Sequence, residues 1–170
     1  MQVVVDTVSM NQLVRSPRKS RTNFANSLDK PIKDGRLTIA LDAARGLQSE
    51  WENSCGPELI KRLVVKWKDL NGIVWIRNLR PLGGTVVKHL KSLGFKDKPI
   101  DKLVLKLARE TNDHIVVSED RDFWDPRDTN SPGNRNAPVA RFCRISLDIE
   151  IILLISLLGR LRKTNVAGSP

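Results

Sequence analysis

At 170 residues, with 40% hydrophobic side chains, the chain has the size of one ordinary domain and enough apolar content for a real core, which excludes disorder throughout. Lys and Arg number 29 against 19 Asp and Glu, a formal charge of +10; such an excess favours a polyanionic partner, nucleic acid or an anionic membrane. The longest apolar run, residues 151–159, is bracketed by Glu150 and Arg160 and falls well short of the ~20 residues a spanning helix needs, so no membrane partner is expected.

In chain order, Val3-Val4-Val5 reads as a buried strand that stops at Asp6. Residues 11–14 begin a helix, and residues 15–36, polar and basic with Pro17 and Pro31, read as a mobile insertion. Residues 37–41 predict a second strand ending at Asp42, followed by a short helix from Gly46 in which Leu47 and Trp51 share a face. Pro57 occupies a first helical position, and Ile60, Leu63, Val64, Trp67 and Leu70 follow helical spacing through a basic helix. Residues 73–76 form a strand or part of the connection. Helices are then expected after Gly83-Gly84, ended by Gly94, and from Pro99, whose buried face carries Ile100, Leu103, Val104, Leu107 and Ala108.

Residues 114–118 predict the third firm strand, with Asp120 and Asp122 directly behind it. A loop rich in Pro, Gly and Asn fills residues 125–138, residues 139–145 read as the last strand, and residues 147–161 as a closing helix. Alternating strands and helices argue for an α/β fold: a mainly parallel central sheet with helices on both faces. A single domain is expected over residues 1–162, with a polar tail at 163–170. Cys55 and Cys143 lack metal-type spacing and nothing before Asp6 resembles a secretory signal, so a cytoplasmic protein with reduced thiols is expected.

In parallel sheets, sites lie at the carboxyl ends of strands. Asp6, Asp42, Asp120 and Asp122 all fall there in a chain that is otherwise basic. Gathering carboxylates costs Coulomb repulsion, which a bound cation would offset. Mg²⁺ or Mn²⁺, taking hard oxygen ligands, suits a phosphodiester substrate. Taken singly, each acid has a plainer reading: Asp6 as a helix cap, Asp42 as a turn residue, Asp101 as a complement to a helix dipole, Asp120 and Asp122 as turn acids. His89 and His114 have no Cys or His partner nearby, so zinc is not supported.

The order of these segments resembles the PIN-domain family. Val-Val-Val-Asp6 at the start and Ile115-Val-Val-Ser-Glu-Asp120-Arg-Asp122-Phe123 late in the chain match the two ends of its pattern. Between them, Glu50 in Leu-Gln-Ser-Glu50-Trp and Asp101 in Pro-Ile-Asp101-Lys-Leu match the acids the family places on intervening helices. The resemblance spans residues 1–160. It implies a divalent-metal-dependent nuclease, most often a ribonuclease, with Asp6, Glu50, Asp101 and Asp120 as catalytic, metal-holding acids and Asp122 in support.

Lys61, Arg62, Lys66 and Lys68 stud one helix and are the candidate nucleic-acid contacts, followed by Arg77, Arg80, Lys88, Lys91, Lys96, Lys98, Lys102 and Lys106. The expected partner is nucleic acid, RNA ahead of DNA; a homodimer, or an inhibitor protein if the chain is a toxin, is compatible with the same reading. The rivals are a catalytically weak nucleic-acid-binding or regulatory protein of the same fold and, behind it, a phosphoacceptor domain.

Overall fold

The computed structural model of the chain describes residues 1–15, 21–124 and 137–166. Five strands, β1 (Gln2–Val5), β2 (Thr38–Asp42), β3 (Ile73–Ile76), β4 (Ile115–Val117) and β5 (Glu150–Ile152), form one sheet in the order β3-β2-β1-β4-β5. Every pairing is parallel: Val3 lies opposite both Ile39 and Ile115, Ile39 opposite Ile73, and Ile115 opposite Glu150. Side chains alternate across a strand, and Val3, Val4 and Val5 are all fully buried, so both faces of the central strand are covered. This is the expected α/β architecture with a parallel central sheet.

Eight helices occur among the described residues: α1 (Thr7–Arg15), α2 (Arg21–Lys33), α3 (Gly46–Cys55), α4 (Pro57–Asp69), α5 (Gly84–Ser92), α6 (Pro99–Arg109), α7 (Pro138–Ser146) and α8 (Leu154–Val166). A 3₁₀ turn, η1 (Arg121–Phe123), follows β4. Helix α6 has the most regular apolar face. Val104, Leu105, Leu107 and Ala108 are buried, and the helix packs on β1, β2 and β4. None of the described helices is long and apolar enough to cross a membrane.

Three sequence expectations require correction. The segment read as a mobile basic insertion, residues 15–36, contains α2, whose Leu28 and Ile32 are spaced i, i+4 and sit in the core; residues 16–20 lie outside the described ones. Residues 139–145 are a helix, α7, because Val139, Ala140 and Cys143 supply a buried helical stripe while Ile145 is 66% exposed. The last strand is instead β5, and the helix expected over 147–161 starts only at Leu154 and continues to Val166, into the expected tail. Most of the loop read at 125–138 falls outside the described residues.

The chain runs outward from β1 through β2 to β3, then crosses back to build β4 and β5 on the other side. That reversal leaves a crevice beyond the carboxyl ends of β1 and β4, the place where open parallel sheets bind ligands.

Candidate functional site

Asp6 leaves β1 at this crevice. Its Oδ1 accepts the Ser9 backbone N–H at 2.7 Å, capping α1, and its own N–H donates to the Val117 carbonyl at 3.0 Å, which ties it to the end of β4. The Ser118 hydroxyl donates to Asp6 Oδ2 and accepts the Asp120 N–H at 3.0 Å. One hydroxyl thus links the acids of two neighbouring strands. Asp120 Oδ1 in turn accepts the Asp122 N–H at 2.9 Å and caps η1, while Phe123 and Trp124 anchor that turn in the core. The Trp124 indole N–H donates to the Ser118 carbonyl at 3.2 Å.

Two helices complete the arrangement. Pro99 starts α6 and puts Asp101 in its first turn, where it faces the cleft with 5% exposure. In α3, Leu47 and Trp51 are fully buried, so Glu50 stands beside that apolar face, half-buried, and reaches the same cleft. Asp6, Glu50, Asp101 and Asp120 therefore line one cavity of about 160 Å³, together with Lys98, the single basic side chain there among the described residues.

The electrostatics follow from burial and crowding. Burial raises the Asp6 carboxyl to about 6, against the hydrogen bonds from Ser118 and Ser9, and the nearby Asp120 charge adds to the rise. Asp101 is pushed to about 7, first by burial, with Lys98 opposing and Asp120, Asp122 and Asp6 reinforcing the shift. Asp101 Oδ2 is a buried oxygen with no hydrogen-bond partner. An acid at such a pKa, with an open lone pair, is suited to take or give up a proton near neutral pH.

Asp122 has a different environment. Lys96 Nζ lies 2.8 Å from its Oδ1 and Lys98 Nζ 2.7 Å from its Oδ2. Burial works to raise this carboxyl, but the two ammonium groups outweigh it and hold it below the ordinary carboxylate range. Lys98 also approaches Asp120 Oδ2 at 3.8 Å. Asp122 thus faces the two lysines, outside the cleft lining.

Asp42, an expected strand-end acid, and Glu119, which carried no expected role, have structural duties. Both oxygens of Asp42 accept backbone N–H groups at the start of α3, from Gly46 at 2.7 Å and Leu47 at 2.9 Å. Glu119, inside the Ser-Glu-Asp-Arg-Asp stretch, accepts the Leu154 N–H at 2.9 Å and caps α8. The candidate contacts Lys61, Arg62, Lys66 and Lys68 lie on α4, and none of them lines the cleft. Lys66 pairs with Asp29, and Lys61 lies 3.7 Å from Glu58.

Sequence reasoning passed over Ser118 as a site residue and gave Lys98 only as one of a basic series, without its place in the cleft. The signal for Ser118 was its place two residues before Asp120, where a hydroxyl accepts the i+2 amide. For Lys98 it was the N-cap position before Pro99, which aims the side chain over the first turn of α6.

Among the described residues, no three or more His, Cys, Asp or Glu side chains are gathered closely enough to constitute a metal site as they stand. The residues fit a divalent cation in their chemistry: hard carboxylate oxygens, pKa values raised chiefly by burial and further by neighbouring acids, and a buried Asp101 oxygen without a donor. Set against known proteins, the chain matches no family model, no characterised protein and no solved structure.

Proposed function

We propose that the protein is a divalent-metal-dependent nuclease of the PIN kind, an endoribonuclease acting in the cytoplasm. The observation that supports this reading most is the convergence of Asp6, Glu50, Asp101 and Asp120 on one cleft at the reversal point of the sheet. These four acids would hold Mg²⁺ or Mn²⁺, with Asp122 in support from beside Asp120, where it pairs with Lys96 and Lys98. When bound, such an ion supplies Lewis-acid stabilisation of the phosphodiester and makes water a stronger nucleophile at neutral pH.

The chain's own residues have separate tasks in this reading. Ser118 fixes Asp6 and Asp120 relative to each other. Asp101, whose buried Oδ2 has no hydrogen-bond donor, would offer that oxygen to the cation beside the other three acids. Lys98, which lines the cleft, holds a phosphate oxygen and balances the acids around it. Among the described residues the cleft has no aromatic lining, which favours holding the substrate by its backbone over stacking of its bases.

Incubation of single-stranded RNA and DNA with the protein in Mn²⁺, Mg²⁺ or EDTA tests the proposal. RNA cleavage with either metal and none in EDTA is expected. Cleavage that persists in EDTA, or none in any condition, rejects it.

A further inference from the structure

The corner between α5 and α6 concentrates positive charge. Residues 84–109 carry seven Lys and Arg side chains, against Asp97 and Asp101, for a net +5, half of the whole chain's formal +10. Four of the lysines converge in pairs on single carboxylates. Lys96 and Lys98 hold Asp122 at 2.8 and 2.7 Å; Lys91 and Lys102 hold Asp97, the latter at 3.0 Å. The Asp97 node keeps one positive charge in excess of its carboxylate, while in the Asp122 node Lys98 also faces Asp120 and Lys96 is the ammonium turned away from the cleft lining.

The corner is also fixed in place. Asp97 adopts a left-handed backbone conformation at φ 61°, and Gly94 one at φ 101°. Phe95 between them is buried and packs on Phe123 of η1 with ring centroids 5.8 Å apart. The lysine loop is thereby pinned to the turn that carries Asp120 and Asp122, and Lys98 reaches from the loop into the cleft. Helix α4 offers much less. Its four basic residues are opposed by Glu58 and Asp69, Lys66 is paired with Asp29, and the helix does not line the cleft.

We propose that the α5–α6 corner, through Lys91, Lys96 and Lys102 with Lys98 at the cleft, is the surface that grips successive phosphates of a nucleic-acid strand, irrespective of base. The inference deepens the proposed function, since it names how that cleft's substrate is held. Charge complementarity carries it. A phosphodiester bears one negative charge, complementary to the net positive charge of residues 84–109, and point-like ammonium groups bind phosphates without reading sequence. A membrane surface fits less well, because none of the large exposed hydrophobic side chains among the described residues falls within residues 84–109.

The test measures binding of fluorescent single-stranded oligo(U) and oligo(A) RNA in EDTA, where hydrolysis plays no part, over a range of KCl. Lys91→Gln/Lys96→Gln/Lys102→Gln should weaken binding at least about tenfold and lower the log–log salt slope by roughly 1–2 units, since each lost phosphate contact in a single strand removes about 0.7. The triple Lys→Arg variant should keep the slope, and both oligonucleotides should bind alike. Acetylation footprinting of the unaltered chain gives a second reading independent of variant folding: RNA should protect Lys91, Lys96 and Lys102 more than Lys61, Lys66 and Lys68. Protection on α4 instead, an unchanged slope in the Gln variant, no salt-dependent RNA binding by the unaltered chain, or equal affinity for phosphatidylserine vesicles would overturn the inference. Intact RNA binding without cleavage in Mn²⁺ would reject the nuclease reading and leave this one standing.

Discussion

Asp101 is the clearest case of a side chain held in an unfavourable state. It is 5% exposed, has one oxygen without a donor, and faces like charges from Asp6, Asp120 and Asp122. Its carboxyl is raised from 3.8 to about 7 in the folded chain, chiefly by burial. The folded state therefore binds this proton more tightly than the unfolded state. Its contribution to stability is fully present below the unfolded pKa and is lost as pH rises through about 7. Asp6 behaves likewise up to about 6. Asp101→Asn, without divalent ions, should match the unaltered protein near pH 4 and exceed it at pH 8 by on the order of 1–2 kcal/mol, a fraction of the full shift because solvent reaches the cleft. Thermal unfolding at the two pH values measures this. A loss of stability at pH 8 would mean that the carboxylate makes a structural bond. The acids themselves were legible in the sequence as strand-end and helix-start residues. The distinction between Asp101, which opens to the cleft, and Asp122, which is neutralised by Lys96 and Lys98, was not. It depends on a loop whose fold comes from Phe95 packing on a residue far along the chain.

Helix α3 separates acids that stand close together in sequence. Asp42 caps its first turn through both oxygens, Glu50 reaches the cleft from its middle, and Glu52 accepts a hydrogen bond from the Gln48 side-chain amide at 2.8 Å. Asp42→Ala should therefore cost about 1–2 kcal/mol, as loss of a helix cap does, measured by urea unfolding. Glu50→Gln should leave stability nearly unchanged and almost abolish RNA cleavage, whereas Glu52→Gln should alter cleavage little. If Glu52→Gln is the damaging change, α3 presents a different face to the cleft. Other elements were misread for physical reasons. In α7 the β-branched residues Val139 and Ile145 suggested a strand, yet a strand would put Val139, Arg141, Cys143 and Ile145 on one face. Val139 and Cys143 are buried whereas Arg141 and Ile145 are exposed. β5 has only three residues, too few for a period, and it merges with the apolar start of α8. In α2 the interior proline, Pro31, and the surrounding polar residues hid the Leu28–Ile32 pair.

At the scale of the molecule, the sheet order decides where chemistry sits. Because β1 is flanked by β2 on one side and β4 on the other, the chain's reversal opens a crevice above the strand pair that ends in Asp6 and in the Ser118–Asp120 segment. Alternating elements made the parallel sheet legible, since buried β-branched triplets recur at β1 and β4. The separation of charge was legible in part, as acids at strand ends and helix starts and a basic series from Lys61 to Lys106, but not which basic residues stand beside the acids. The acids collect in the crevice while the α5–α6 corner beside it holds half of the net positive charge. That pairing is what a phosphodiesterase needs, and it rests on the acids being functional rather than structural. The most direct test is the rate of single-stranded RNA cleavage in Mn²⁺ by the unaltered protein and by Asp6→Asn, purified in parallel and both confirmed folded. The account predicts a loss of at least about 100-fold, the scale on which a misplaced metal ligand reduces activity. Equal rates in the two preparations would contradict it.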